Sequence, residues 1–147
     1  MPEGQAEQPA VNLALNKTAV SSSIEGSDFE ANKAFDGNLM SRWASDEGSD
    51  PEWIYVDLGS VQSISGVTLK WEAAYAKQYK IQVSTDSSGT PVQWMDVNST
   101  TDGNGGVDEI RFSPQNARYV RMLGLERGTP YGYSLYEFEI YGGTSSP

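Results

Sequence analysis

Along this chain, hydrophobic and polar positions alternate with a period near two, in short runs separated by turn-forming residues. The clearest run is Tyr79-Lys80-Ile81-Gln82-Val83-Ser84, which stops at Thr85-Asp86-Ser87-Ser88-Gly89. A period of two sends successive side chains to opposite faces of an extended strand. Similar runs predict strands over residues 53–58, ending at Gly59, and over 67–71, 94–97, 109–112, 119–123 and 135–141. Helical periodicity is almost absent: residues 31–35 suggest one turn, closed by Asp36-Gly37. Seven or eight short strands at this spacing predict an all-β fold, an antiparallel β-sandwich of two sheets. In 135–141, Tyr136, Phe138 and Ile140 fall on one face while Glu137 and Glu139 fall on the other. Taken alone, that alternation puts both glutamates on a solvated outer face.

Length and charge narrow the possibilities. A chain of 147 residues has room for one ordinary domain with a single core. Ten basic residues against twenty acidic ones give a net charge of −10. Such a surface repels phosphate backbones and anionic lipid, which argues against nucleic acid or a membrane as partner and suits a cation. Cys and His are both absent. That removes thiol nucleophiles, zinc sites built on these residues and the usual general base at neutral pH. A secreted eukaryotic domain of this size often carries a disulfide, so zero Cys leans towards a bacterial product. Residues 1–10 are polar, without the apolar stretch of a signal peptide, and 143–147 are rich in Gly, Ser and Thr. Both ends read as linker around one module spanning 11–142, cut from a longer secreted protein.

Several blocks together resemble a known family. Ala34-Phe35-Asp36-Gly37-Asn38, followed by Ser41-Arg42-Trp43-Ala44-Ser45, is similar to the opening signature of discoidin-like domains, the coagulation factor five/eight type C group. Trp53-Ile54-Tyr55-Val56-Asp57-Leu58-Gly59, Trp71-Glu72 and Tyr79-Lys80-Ile81-Gln82-Val83-Ser84 continue the likeness. Ala117-Arg118-Tyr119-Val120-Arg121 and the segment from Tyr133 to Gly142 complete it, in the right order from about Asn12 onward. Within this group the chain most resembles family 32 of the carbohydrate-binding modules, which are appended to secreted bacterial glycoside hydrolases. The resemblance implies a jelly-roll, galactose-binding-domain-like sandwich, a binding role without catalysis, a covalently linked catalytic domain and a monomeric module.

It also implies one structural Ca²⁺. Carried over position by position, its ligands would be the backbone carbonyls of Lys33, Asn38 and Tyr136, the carboxylates of Asp36 and Glu137, and Ser41 through its hydroxyl and carbonyl. The chemistry is sound in itself, since calcium takes six to eight hard oxygens and a tight Asp-Gly-Asn turn can aim several carbonyls at one point. The bland reading is an ordinary Asp-Gly turn with an exposed glutamate, and Glu139 is the alternative to Glu137.

Ligands in this family are expected on the loops at one end of the sandwich, and here those loops are acidic. Eight acidic residues lie between Glu25 and Glu52, against Lys33 and Arg42. A charge run of this kind is ordinarily a solvated surface. Arg42 stands directly before Trp43, at a position the family commonly uses for ligand contact, and Glu72 ends a strand where the loop face begins. Glu25, Arg42, Glu47 and Glu72 are therefore expected around one pocket, with Tyr75 and Tyr131 as candidate rings to stack on a sugar face. Three carboxylates around one arginine suit a cationic ligand, because each ammonium–carboxylate hydrogen bond is charge-assisted. The plain cationic polysaccharide is chitosan, and some modules that this one resembles bind glucosamine oligomers. The competing readings are a neutral glycan such as β-1,3-glucan or a galactoside, and a small glycoside hydrolase working with paired carboxylates, for which this chain lacks the bulk to build a long cleft.

Overall fold

The computed structural model of the chain describes residues 11–87 and 89–142, so the expected linkers at 1–10 and 143–147 lie outside the described residues. Seven strands run in the order β1 (Thr18–Ser21), β2 (Trp43–Ala44), β3 (Glu52–Trp71), β4 (Ala76–Ser84), β5 (Met95–Thr100), β6 (Val107–Arg127) and β7 (Ser134–Gly142). Two 3₁₀ turns, Ser27–Phe29 and Ala31–Ala34, fill the long connection between β1 and β2, the second where a single helical turn is expected.

Every strand pairing is antiparallel. Two of the strands are far longer than the alternation predicts. Residues 53–58 and 67–71, read as separate strands, are halves of the twenty-residue β3, and 109–112 and 119–123 are likewise halves of β6. The sequence hides this continuity because Gly59, at φ +92°, interrupts the hydrophobic pattern while the chain stays extended through a register shift between Asp57 and Gln62. The first half of β3 pairs with β1 and the second half of β6, and β6 in turn with β4. The second half of β3 pairs with the first half of β6 and with β7. The two long strands thus pass from one layer of the sandwich to the other, and the core lies between the layers.

That core is built from the inward positions of the alternation. Ile54, Val56, Ile64, Leu69, Ile81, Val120, Met122, Leu135, Phe138 and Ile140 are buried, with Trp43, Phe35 and Tyr133 closing its loop end. Phe35, from the turn segment, meets Phe138 of β7 with ring centroids 5.4 Å apart. β5 begins at Met95, one residue after the expected start, because Trp94 turns back over the outer face against Tyr55.

Candidate functional site

Four connections converge at the end of the sandwich where β3 stops and β7 starts. Backbone hydrogen bonds join them. Glu25 N–H donates to the Ala44 carbonyl at 2.8 Å, Ser45 N–H to Tyr133 at 2.8 Å and Gly48 N–H to Tyr131 at 3.1 Å. Glu72 N–H donates to Ser134 at 3.0 Å and Ser134 N–H to Ala74 at 2.8 Å. Between these connections lies a cleft of about 210 Å³. Glu25, Arg42, Glu47 and Glu72 all line it, together with Tyr131, Tyr133 and Ser134.

Arg42 is the most constrained of the four. Its Nη1 donates to Ser134 Oγ at 2.7 Å and stands 3.9 Å from Glu72 Oε1, while its guanidinium lies 4.3 Å from the centre of the Phe29 ring. Ser134 is fixed in turn, its hydroxyl donating to the Trp43 carbonyl at 2.7 Å. Glu72 accepts the Ala74 amide at 2.9 Å through the oxygen that faces Arg42. Glu25 and Glu47 are exposed on the opposite lip. The Glu25 carboxyl is held above the usual carboxylate range by its partial desolvation, by hydrogen bonding to Glu47 and by the charges of Glu47 and Glu72, which outweigh the opposing pull of Arg42. Acidic side chains crowded this closely are a poor place for an anion and a good one for a cation.

The two candidate rings part company. Tyr131 is 55% exposed and lines the cleft. Tyr75 does not belong to it. Its ring packs over Gly105 and Gly128, so closely that a Cβ on Gly128 would fall 2.2 Å from Tyr75 Cε2. It therefore fills a structural gap between the loops before β6 and after it.

The acidic stretch is likewise not one solvated surface. Glu52 is buried and accepts the Ser22 and Ser23 hydroxyls at 2.5 and 2.7 Å. Asp50 accepts the Tyr133 hydroxyl and Arg127 Nε, the latter at 3.1 Å. Asp50 thereby holds Tyr133, one wall of the cleft, and Glu52 ties the end of β1 to the start of β3. Ser134, Phe29, Asp50 and Glu52 were not legible as supporting residues, since no periodicity marks a side chain whose partner is 13 to 92 positions away.

A second cluster of oxygens sits beside β7. Asp36 accepts the Asn38 amide at 3.0 Å and the Ser41 hydroxyl at 2.6 Å, and Gly37, at φ +70°, donates its N–H to Glu137 Oε1 at 3.0 Å. Lys33 closes the adjoining 3₁₀ turn. Tyr136 is the residue that the register skips where Lys70 faces Glu137 and Trp71 faces Leu135, a β-bulge. Glu137 is only 2% exposed, so the solvated face that the alternation implies does not hold for it: the 31–41 segment covers it. Its Oε2 is buried without a hydrogen-bond partner. Burial first, and then Asp36 beside it, push the Glu137 carboxyl up to about 7. Glu139 is otherwise engaged, between Lys70 Nζ at 3.1 Å and the Tyr141 hydroxyl at 2.5 Å. Among the described residues no three acidic, His or Cys side chains cluster as a metal site, so an ion here would depend on carbonyls and a hydroxyl beside two carboxylates.

Residues 16–138 match the F5/8 type C domain. The chain belongs to that family. Among solved structures, chitosan-binding module 1 of a chitosanase/glucanase from Paenibacillus sp. IK-5 is 63% identical, with a TM-score of 0.88 over 90% of this chain and 99% of that one. Chitosan-binding module 2 of the same enzyme, solved in complex with chitotriose, is 56% identical, with a TM-score of 0.88 over 89% of this chain and 100% of that one. Among curated proteins, a polysaccharide lyase 8 family protein of Enterococcus faecalis is 29% identical over 88% of this chain. The chain spans about a tenth of that relative's length, as expected if an F5/8 type C domain is one unit of a larger protein.

Proposed function

We propose that this F5/8 type C domain is a non-catalytic carbohydrate-binding module for chitosan, carried as a monomeric unit by a secreted bacterial protein and joined to a catalytic domain that acts on polysaccharide. The observation that carries the reading is the cleft in which Glu25, Glu47 and Glu72 surround Arg42. Three carboxylates and one guanidinium leave a net negative site, and a glucosamine unit offers one ammonium and several hydroxyls to it. Glu25 and Glu47 receive the ammonium, Arg42 and Glu72 the hydroxyl groups, and Tyr131 one face of a ring. Membership in a family with two chitosan-binding modules at 56 and 63% identity supports the same ligand.

Binding without turnover follows from how the acids are used. Glu72 is occupied by Arg42 and the Ala74 amide, and the cleft is small and open rather than a groove closed around a glycosidic bond. Release of reducing ends from chitosan oligomers above the blank would overturn that part. For the ligand itself, titration calorimetry with the trimers of glucosamine and of N-acetylglucosamine is decisive. The amine form is expected to bind at least tenfold tighter, and equal affinities would remove the cationic reading.

The same reading includes one structural Ca²⁺ beside β7. The residues present fit it: a buried, unpartnered Glu137 oxygen faces a turn that already gathers Asp36, Asn38 and Ser41, and the bulge takes Tyr136 out of the regular register with β3. Glu137 and Asp36 would supply the charge, Ser41 and the carbonyls of Lys33, Asn38 and Tyr136 the remaining oxygens. Bound there, calcium would tie the β1–β2 connection to the last strand and add stability by linkage.

A further inference from the structure

The outer face of the layer formed by the first half of β6, the second half of β3 and β7 carries a feature that the loop-end cleft does not account for. Its central strand presents Gly66, Thr68 and Lys70 in succession. The flanking strands present larger side chains opposite them: Arg111 and Glu109 on one side, Tyr141 and Glu139 on the other. Gly66 and Thr68 on the middle strand, with larger side chains on both neighbours and Lys70 at one end, make a trough of about 370 Å³, inside the size range of small-molecule sites. Gly66 sets its depth, since a Cβ there would already press to 3.2 Å from the Ile110 carbonyl and would rise into the floor.

The charges in the trough balance. Lys70 and Arg111 face Glu109 and Glu139, whereas the loop-end cleft sets one cation against three carboxylates. Glu139 is occupied by Lys70 and the Tyr141 hydroxyl, which fixes one wall. On the other wall the side chains of Glu109 and Arg111 are exposed and make no hydrogen bond or ion pair among the described residues. A donor and an acceptor thus stand unused across from a tyrosine ring.

We infer that this trough is a second saccharide-binding surface, and that it takes a neutral, hydroxyl-rich glycan chain rather than an amine-bearing one. Arg111 and Glu109 bond hydroxyls on one edge of a pyranose, and Tyr141 meets its C–H face. A net charge of zero gives an ammonium no advantage there. A peptide strand is a poor occupant, because the floor is the face of the sheet and its backbone groups are already paired in the ladders to β6 and β7.

The test is an NMR titration of the ¹⁵N-labelled chain with cellotetraose and with laminaritetraose, both neutral glucose oligomers. Saturable shifts are expected at Thr68, Glu109, Arg111 and Tyr141, with Glu72 and Gly132 unmoved. Arg111→Ala and Tyr141→Ala should each weaken this binding tenfold or more, while Glu72→Ala leaves it unchanged. Arg111 is exposed and without a hydrogen-bond or ion-pair partner among the described residues, so its variant keeps the fold and decides the matter even if Tyr141→Ala does not. Absence of shifts at millimolar oligomer overturns the inference, and so does loss of neutral-glycan binding in Glu72→Ala. Neither result bears on the glucosamine reading of the cleft, which is tested with the amine oligomer alone.

Discussion

Both the β7 cradle and the loop-end cleft gather carboxylates, and they treat them in opposite ways. In the cradle Glu137 is enclosed, with one oxygen given a single backbone donor and the other given nothing. In the cleft Glu25 and Glu47 stand in water, and Glu72 is pinned by an arginine and an amide. A buried, unsatisfied anion costs folding energy, whereas exposed anions cost little. The cradle is therefore a liability unless a cation completes it, and the cleft is a standing surface that waits for ligand without strain. Structure and recognition use the same chemical group, separated by burial.

The largest test of this contrast is the pH dependence of the metal-free protein. Folding raises the Glu137 carboxyl from 4.5 to about 7, so the folded chain holds its proton over a range where the unfolded chain has lost it. Stability in chelator should fall as pH climbs from below 4.5 to above 7, by on the order of 3 kcal/mol. Denaturant melts at pH 5 and pH 8 measure it, and a flat profile would mean that Glu137 is solvated. Calcium should cancel most of that loss. At a hundred times its Kd it adds about 2.7 kcal/mol by linkage, and Glu137→Gln should abolish the increment. An unfolding temperature identical with and without calcium would refute the site.

Changes in the cleft should leave stability nearly alone and move affinity instead. Glu72→Ala and Arg42→Ala are each expected to weaken glucosamine-oligomer binding by about 1–3 kcal/mol, each removing a charge-assisted contact to the ligand. Wild-type calorimetry from both variants would place the ligand elsewhere. A smaller effect belongs to Glu25. As pH falls into the range to which its carboxyl is raised, it takes up a proton and ceases to attract an ammonium, so affinity should decline on the acid side. Glu25→Gln should flatten that decline. Raised salt should weaken binding of the amine oligomer more than that of any neutral one.

Much of this was legible in the sequence, for a physical reason. Alternation in Tyr79-Lys80-Ile81-Gln82-Val83-Ser84 reflects a local constraint, the opposite directions of neighbouring side chains, and it puts Tyr79, Ile81 and Val83 in the core, though Gln82 and Ser84 on the other face are buried as well. The resemblance brought Glu25, Arg42, Glu47 and Glu72 to one place, and they line one cleft. What pattern could not supply was anything that depends on a distant partner. Gly59 looks like the end of a strand until its register with β6 is known. Glu137 looks solvated until the 31–41 segment lies over it. Tyr75 looks like a platform until Gly128 comes up beneath its ring.

The register of β7 also fixes where the two ends of the described chain lie. Ser134 opens the strand at the cleft, and Tyr141, near its far end, bridges to Asn12, with Leu13 bonded to Ile140. The described chain therefore enters and leaves at a single pole, roughly 25–30 Å from the cleft along one extended strand. Attachments at either end share one anchor point.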